Sequence, residues 1–340
     1  MAEKLRAVVV GCGGIVNAWL GTSTVKEEVE VVGLVDLRRE AAEQKAQQHG
    51  LTGALVTTDL DEALHKMQPQ AVFNCTVPEA HCPVTLAALE HGCHVLTEKP
   101  LADTMANARR MVEAARRAGR TLAVIQNRRY IPQVRALRSF VASGAVGRIT
   151  TVQSNFVLGA HFGGFRDRME HVLLLDMAIH TFDAARFITG ADPAAVYCHE
   201  WNPAGSWYDH DACALAVFEM TGGIVYVYQG SWCAEGCNTS WESEWRVVGE
   251  NGSVLWDGGD AMRAESVAER GSFTSKLSPL SVPVEPMPKS GHNAVIGEFV
   301  DCVRSGRAPE TAAQDNIKSL AMVFGAIESA GQGRKVQVKA

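Results

Sequence analysis

The 340-residue sequence lacks the long basic or apolar runs that are typical of nucleic-acid-binding and membrane proteins. No Lys/Arg cluster is long enough to follow a phosphate backbone, and the net charge is −6, so no nucleic-acid partner is expected. No stretch contains the ~20 solidly apolar residues of a membrane span. The apolar run before Cys12 is too short for a signal peptide. We therefore predict neither a targeting segment nor a membrane partner.

Cysteine is present, but not in a pattern that builds a site. The nine cysteines are scattered singly, their number is odd, and no CxxC pair occurs. The pattern predicts neither a disulfide framework nor a zinc site, and we expect no bound metal. Reduced, partly buried thiols favour a cytoplasmic protein.

The first part of the chain alternates short apolar strands with helices, which is typical of a doubly wound parallel sheet. Length predicts two domains, and we assign residues 1–127 to a Rossmann domain. The predicted strands are 5–10, 29–35, 54–57, 71–76, the apolar run before Glu98, and 121–126. Asp103 is the predicted N-cap of a helix that ends before Gly119.

From residue 128 onward the sequence pattern changes, and apolar residues alternate with polar ones. This alternation predicts a mainly antiparallel sheet. We assign residues 128–340 to this second α/β domain. Its predicted strands are 148–158, 194–201, 212–220, 224–232 and 241–248. A helix is predicted over 170–188, a Ser/Pro-rich loop over 271–291, and two closing helices over 293–304 and 312–330.

A glycine-rich turn joins the first strand to the first helix. Gly11 permits a tight turn, and Gly13 lets the backbone approach a pyrophosphate. Gly14 and Ile15 open a helix whose N-terminal N–H groups favour anions. Asp36 closes the second strand, 25 positions after Gly11, and can accept hydrogen bonds from both ribose hydroxyls. Together these features predict a dinucleotide site more strongly than a plain glycine turn, although Val16 stands where Gly or Ala is usual.

Asp36 also bears on the choice between NAD and NADP. A carboxylate at this position repels a 2′-phosphate, which favours NAD. Arg38 and Arg39 leave NADP open, because an arginine can grip that phosphate or stack on adenine.

Glu98-Lys99-Pro100 follows the fifth predicted strand without a spacer. Ligands of open α/β sheets bind in the crevice beyond the carboxyl ends of the strands, so Lys99 is expected to project into that crevice. A surface Glu-Lys pair in a loop is the simpler interpretation of these residues alone.

Asp176 and His180 are four residues apart on a predicted helix and share one face, which Asp183 continues. A histidine bracketed by carboxylates has a fixed tautomer and raised basicity, as an acid/base requires. A core histidine paired locally with a helical acid explains the same spacing.

These motifs together resemble the Gfo/Idh/MocA oxidoreductases. The resemblance rests on the Gly11 turn, Pro78 to His81, Glu98-Lys99-Pro100 and Asp176-x-x-x-His180, and it extends over essentially the whole chain. It implies an NAD(P)-dependent dehydrogenase with a Rossmann domain and a second domain. The large open sheet of that second domain often forms a homodimer or homotetramer.

The resemblance also implies residue roles. Lys99 binds the reacting oxygen and relays its proton, Asp176 positions the substrate and supports His180, and His180 is the acid/base. The nicotinamide half of the cofactor is expected near Thr76, Pro78, His81, Glu98, Lys99 and Gln126.

The residues expected on the substrate side are less specific. Arginines near the site, Arg128, Arg129 and Arg166, suit an anionic group, although surface ion pairs explain them equally well. Glu170-His171-Val172 replaces the glycines that relatives carry before the aspartate, which leaves the substrate open. The expected substrate-side residues are Asn127, Arg128, Tyr130, Arg166 and His171.

Five of the seven tryptophans lie between residues 201 and 245, and such aromatic faces suit a sugar or cyclitol ring. Sheet packing or a subunit interface accounts for Trp241 and Trp245 equally well. Three functions remain: a dehydrogenase of sugars, polyols or cyclitols, a reductase or dehydrogenase of a non-sugar diol or carbonyl, and a non-catalytic NAD(P)-binding sensor. Retention of Lys99, Asp176 and His180 argues against the sensor.

Overall fold

The computed structural model describes residues 3–340, which form two compact units. The first unit contains residues up to Tyr130 together with Pro288–Ile317, and the second contains Ile131–Met287 and Lys318–Ala340. The sequence places the boundary after residue 127 and assigns everything beyond it to the second domain. By contacts, however, a segment near the C-terminus packs with the first unit.

The first unit is built on a six-stranded sheet in which every strand pair is parallel, in the order β3-β2-β1-β4-β5-β6. The strands are Leu5–Val10 (β1), Val29–Val35 (β2), Leu55–Thr57 (β3), Ala71–Asn74 (β4), His94–Thr97 (β5) and Leu122–Val124 (β6). These strands are almost fully buried, as expected of a parallel sheet covered on both faces. The predicted Rossmann architecture is confirmed.

The helices of this unit that precede residue 130 are Val16–Leu20 (α1), Ser23–Glu28 (α2), Arg39–Gln48 (α3), Leu60–Met67 (α4), Pro78–Glu90 (α5) and Met105–Ala118 (α6). α6 begins later than predicted, because Thr104, not Asp103, is its N-cap and accepts a hydrogen bond from the Asn107 N–H. Asp103 instead accepts from the Asn107 side chain at 2.7 Å. Gly119 ends the helix in the left-handed conformation, as predicted.

Polar contacts tie Pro288–Ile317 to the first unit. This segment contains the helix Gly291–Ser305 (α9). The Asn293 side chain accepts from the Thr24 N–H at 3.0 Å, and Glu28 accepts from Lys289 at 2.8 Å and from Arg304 at 2.9 Å. Near β6, the Val124 N–H donates to the Thr311 carbonyl at 3.0 Å.

The second unit contains a nine-stranded, mostly antiparallel sheet, in the order β14-β13-β12-β11-β7-β10-β9-β8-β15. Its strands are Ile149–Val157 (β7), Pro193–Trp201 (β8), Cys213–Met220 (β9), Val225–Ser231 (β10), Glu244–Gly249 (β11), Gly252–Trp256 (β12), Met262–Glu269 (β13), Lys276–Leu280 (β14) and Val336–Gln337 (β15). The predicted fold class is confirmed. β12, β13 and β15 were not predicted, and β14 lies within the predicted loop 271–291.

One face of this sheet is covered by the helices Pro132–Ala142 (α7) and Ile179–Thr189 (α8), and the chain continues into Ala313–Gln332 (α10). Phe182 of α8 lies at the centre of the core, 4.9 Å from the Phe218 ring and 5.1 Å from the Tyr228 ring. The opposite face is open, with Tyr197, Leu215 and Val225 exposed.

The predicted helix over 170–188 is not a single α-helix. It begins with a π-helical segment, Leu173–Ala178, and becomes α-helical only at Ile179. Asp176 therefore lies in the π-helical segment and His180 in the first turn of α8, and Asp183 does not continue the face predicted for them. Asp183 accepts from Ser319 of α10 at 2.6 Å and is 1% exposed, so it belongs to the core.

Candidate active site

The glycine turn after β1 presents its backbone outward. Gly11 has φ +88°, and a Cβ there would lie 2.6 Å from the Cys75 carbonyl oxygen, so only glycine fits. Gly13 and Gly14 are exposed, and nothing lies within 4 Å of a Cβ built on either. Among residues 3–340 the N–H groups of Gly13, Gly14 and Ile15 have no backbone acceptor. This cradle fits a pyrophosphate.

Asp36 is held in a fixed orientation beside that cradle. One carboxylate oxygen accepts from the Cys12 N–H at 2.7 Å, and the other accepts from the Arg38 N–H at 2.9 Å. The carboxylate follows β2 directly, as predicted. A charged acceptor locked in this way matches ribose hydroxyls and opposes a 2′-phosphate.

A cavity of about 340 Å³ adjoins the turn and α3. Its lining contains Cys12, Gly13, Gly14, Arg38, Glu40, Ala41, Gln44 and Lys45. The Lys45 ammonium donates to Asn17 at 2.8 Å and to Gln48 at 3.0 Å, so the cation is engaged within the fold. The residues around the cavity therefore fit the adenosine half of a dinucleotide.

Glu98 and Lys99 stand at the carboxyl end of β5. The Glu98 carboxylate is buried and accepts from the Trp19 indole N–H at 2.8 Å and from the Lys99 N–H at 3.0 Å. Because Trp19 belongs to α1, this bond links the strand end to the helix after the glycine turn. The Lys99–Pro100 peptide bond is cis.

His81 lies in the interior of the first unit rather than at its surface. Its Nδ1 is 2.8 Å from the Pro100 carbonyl oxygen, and its Nε2 is 3.1 Å from the Thr76 carbonyl oxygen. The ring therefore connects the chain after β4 to the chain after β5. Thr76 is also held through its hydroxyl, which donates to Asn74 at 2.6 Å, and Pro78 opens α5.

Three of the predicted site residues, Gln126, Asn127 and Tyr130, follow β6. Gln126 is buried, and Tyr130 is buried with its hydroxyl donating to Glu298. Asn127 donates to His292 Nδ1 at 3.3 Å. Burial lowers the pKa of His292 below its ordinary value, and the cations Arg128 and Lys99 lower it further. His292 therefore lies near Lys99, and sequence spacing alone gave no sign of this.

Arg129 is buried and is paired within the first unit, unlike the surface arginine expected from the sequence. It is 5% exposed and donates to the Glu310 carbonyl and to Asp315, each at 2.9 Å.

In the second unit, Asp176 pairs with Arg166. Arg166 Nε donates to Asp176 Oδ2 at 2.5 Å, and the Asp176 side chain is 14% exposed. The Arg166 guanidinium also lies over the Phe162 and Phe165 rings, 4.8 Å from each centroid. Arg166 is thus occupied by a carboxylate and two aromatic faces. His180 follows Asp176 in the first turn of α8 and is half-buried.

His171 precedes the π-helical segment and has φ +53°. Its Nδ1 donates to Glu200 Oε2 at 2.7 Å. Glu200 is a further residue of this site that was not predicted, although it has the same inward-facing parity on β8 as Val196 and Cys198. An acid on the buried face of a strand is unusual enough to mark a site.

Several of the expected aromatic residues form a cluster near Arg166. Phe162 lies 5.4 Å from Trp232 and 6.2 Å from Trp241, and His161 stacks on Trp207 at 3.7 Å. Trp245, by contrast, is buried and stacks on Tyr226. Trp245 is therefore a packing residue, while Trp241 remains 44% exposed.

No group of three or more His, Cys, Asp or Glu side chains within residues 3–340 is arranged to hold a metal ion. A search of the same residues finds no helix with the length and apolarity needed to cross a membrane.

Comparison with known proteins agrees with this geometry. A family model described as an oxidoreductase family with an NAD-binding Rossmann fold matches residues 5–126, and the GFO/IDH/MocA C-terminal domain model matches residues 134–255. The chain belongs to the Gfo/Idh/MocA family of oxidoreductases, and its first unit is the NAD-binding Rossmann fold of that family.

The chain is similar to named proteins over nearly its full length. It is 30% identical to uncharacterized protein y4oX of Sinorhizobium fredii, over 97% of this chain and 94% of that protein. It is 25% identical to 1,5-anhydro-D-fructose reductase of Ensifer adhaerens, over 97% and 98%. The fold matches a crystal structure of an oxidoreductase from Agrobacterium radiobacter in complex with NAD+, L-tartaric acid and magnesium. The TM-score is 0.85, with 21% identity over 99% of both chains.

Proposed function

We propose that this protein transfers hydride between a nicotinamide cofactor and a secondary alcohol or ketone of a sugar, polyol or cyclitol. The observation that carries the proposal is the Arg166–Asp176 pair with His180 one turn further along, in a chain whose first unit carries the dinucleotide cradle. A charged pair beside a histidine suits proton exchange with a hydroxyl group. The similarity to a protein named a reductase of an anhydro sugar supports the same substrate class.

In this proposal His180 exchanges the hydroxyl proton, since imidazole titrates near neutral pH and works in both directions. Lys99 stabilises the developing alkoxide through its ammonium group. Asp176, fixed by Arg166, holds a substrate hydroxyl and supports His180. When bound, the cofactor supplies the hydride acceptor or donor.

The proposed cofactor is NAD, with NADP as the alternative. Gly11, Gly13, Gly14 and Ile15 form the cradle, Asp36 binds the ribose, and Arg38 lines the adenosine cavity. For the nicotinamide half we propose contacts with Thr76, Pro78, Glu98, Lys99 and Gln126. His81 acts indirectly, because both of its ring nitrogens face backbone carbonyls.

On the substrate side we propose Asn127, Arg128 and His171, with Arg166 acting through Asp176, which it holds. Tyr130 acts indirectly by fixing the chain next to Arg128, since its hydroxyl is used by Glu298. The exposed rings of Phe162 and Trp241 provide apolar faces for the C–H surface of a hydroxylated ring.

We also propose a homodimer or homotetramer formed through the open face of the second sheet. Tyr197 lies opposite Val217, and Val217 lies opposite Val227, so an apolar strip crosses three strands of that face. All nine cysteines are free thiols, which supports action in the reducing cytoplasm.

The test is a panel of potential substrates assayed with NAD and with NADP. The polyol panel consists of D-glucose, myo-inositol, 1,5-anhydro-D-fructose and an aryl dihydrodiol. Formation or consumption of NADH or NADPH with one of the first three compounds supports the proposal. Activity with the dihydrodiol alone supports the non-sugar alternative. Tight NADH binding without turnover of any compound supports a non-catalytic sensor.

A further inference from the structure

His171 occupies a backbone position that normally belongs to glycine. Its φ of +53° is in the left-handed region, which few non-glycine residues adopt, although Asn, Asp and His do so more often than the others. The residue lies just before the π-helical segment that carries Asp176, and its carbonyl accepts from the Leu175 N–H at 3.0 Å. A non-glycine residue kept in this conformation next to a candidate site points to a role for its side chain.

Glu200 is the buried partner that fixes the His171 ring. Its side chain is 2% exposed, and its Oε2 accepts from His171 Nδ1 at 2.7 Å. Its second oxygen, Oε1, is also buried and has no hydrogen-bond partner within residues 3–340. Burying a carboxylate is unfavourable unless it is paired, so the hydrogen bond to His171 is what compensates the buried charge of Glu200.

The other ring nitrogen of His171 is available to a ligand. The side chain is 32% exposed, and Nε2 makes no hydrogen bond to any other described residue. The bond from Nδ1 to the carboxylate fixes the ring orientation and favours protonation of the ring. Glu200 raises the pKa of His171 above its ordinary value, and the nearby charges of Glu170 and Asp211 add to the rise.

The segment around residue 209 connects this pair with the Asp176 region of the same unit. The Asp209 N–H donates to the Asp167 carbonyl at 2.7 Å. Burial raises the pKa of the neighbouring Tyr208, and the charges of Asp167 and Asp176 add to the rise. Asp211, two residues further, acts on His171. The loop that contains Tyr208, Asp209 and Asp211 therefore lies near both His171 and Asp176.

We propose that His171 is a substrate-binding residue that donates its Nε2–H to an oxygen of a neutral polyhydroxylated substrate, and that Glu200 is the positioning residue that holds the ring for this purpose. This inference rests on the proposed function. A neutral substrate is expected because Glu170 and Asp211 add negative charge near a ring that Glu200 already pairs, which disfavours a carboxylate.

A second His–Glu pair shows why burial matters. His161 Nε2 lies 2.9 Å from Glu235, but these side chains are 59% and 70% exposed. An exposed pair of this kind is weak and screened by solvent. Glu235→Gln is therefore a matched control for Glu200→Gln.

The first experiment measures the pKa of His171 by NMR on the full chain, with His171→Asn used to assign the resonance. Glu200→Gln is expected to lower the pKa by about 1 unit or more, because the opposite charge is removed. Glu235→Gln is expected to leave it unchanged. If Glu200→Gln does not alter the His171 titration, Glu200 is not its positioning residue.

The second experiment measures KM and kcat with the polyol panel. His171→Asn tolerates the left-handed backbone and is expected to raise KM about tenfold or more, with kcat within about threefold, because a charge-assisted hydrogen bond is lost. His171→Gly, which suits the same φ, gives the same result if folding is unaffected. Glu200→Gln is also expected to raise KM, because the ring is no longer held in place. A KM within about twofold of wild type in both His171 variants overturns the proposal.

A separate binding measurement distinguishes failure of the proposed function from failure of the proposed role of His171. If the wild-type protein turns over no panel compound, binding is measured from the His171 ring resonance on addition of myo-inositol or D-glucose. A saturable shift supports the binding role of His171 without the enzymatic one. Absence of any shift overturns both.

Discussion

The candidate ligand surfaces of the two units are built from different parts of the chain. The candidate cofactor surface of the first unit consists of backbone N–H groups and one carboxylate, Asp36, whose two oxygens both accept from backbone N–H donors. The candidate substrate surface of the second unit consists of side chains that hold one another, in the pairs Arg166–Asp176 and His171–Glu200.

This difference determines how each site tolerates sequence change. A backbone cradle needs only glycine at a few positions, so many sequences form it. A surface of paired side chains loses its geometry when one partner changes, because the remaining charge is left without compensation. Substrate choice in such a protein therefore varies more readily than cofactor choice.

The largest expected effect separates chemistry from cofactor binding. His180→Ala should lower kcat by about 10²- to 10⁴-fold, because a general acid/base is removed. The affinity for NADH, measured by fluorescence titration, should stay close to wild type, since the cradle lies in the other unit. A kcat within about threefold of wild type would show that His180 is not the acid/base.

Two glycine variants test whether the cradle depends on backbone. Gly11→Ala should destabilise the protein by about 3 kcal/mol, since its Cβ would meet the Cys75 carbonyl and its φ is +88°. Gly13→Ala, with open space around its Cβ, should keep the wild-type Tm but weaken NADH binding. Thermal unfolding and NADH titration distinguish the two. Equal loss of Tm in both variants would contradict this account.

Asp36→Asn should shift cofactor preference. The amide keeps one acceptor but removes the charge, so the ratio of kcat/KM with NADP to that with NAD should rise about tenfold or more. Glu40→Gln removes a charge from the lining of the same cavity and should change the ratio less than about threefold. An unchanged ratio in the Asp36 variant would mean that the carboxylate does not select the cofactor.

The smallest expected effect concerns the segment that joins the first unit from far along the chain. Lys289, with Arg304, holds the pKa of Glu28 below its ordinary value. Stability from this ionised carboxylate is present above its ordinary pKa and is lost as pH falls through the lowered one. Glu28→Gln should therefore lower the unfolding free energy by about 1 kcal/mol at neutral pH and by progressively less as pH falls below about 4.

Glu30→Gln is the matched control for that measurement, because Glu30 only reaches Arg6 at 3.8 Å and is 60% exposed. Its substitution should cost less at neutral pH. An equal loss in the two variants, measured by denaturant unfolding, would contradict the assigned role of Glu28.

Local patterns predicted the first unit well. The strands Leu5–Val10 and Val29–Val35 and the turn at Gly11 depend on apolar runs and on a glycine conformation, which are properties of neighbouring residues. The attachment of Pro288–Ile317 depends on contacts such as Asn293 with Thr24, 269 positions apart, and no local pattern reports such contacts.

The second unit was harder to predict for two physical reasons. β14 contains Pro279, which indicates a loop, but an edge strand tolerates proline because one side forms no ladder. The helix around Asp176 has the apolar spacing of an α-helix, and spacing alone does not distinguish a π-turn. The site residue types were predictable, whereas the partners Arg166 of Asp176 and Glu200 of His171 depend on folding across the chain.

Direct transfer of hydride between the cofactor and the substrate carbon is what the proposed chemistry requires, and isotope labelling measures it. NADH carrying deuterium at the transferable position is incubated with 1,5-anhydro-D-fructose, and the product is examined by mass spectrometry and NMR. With direct transfer, deuterium is expected on the carbon of the newly formed alcohol. A reduced product with hydrogen from solvent at that carbon would contradict it.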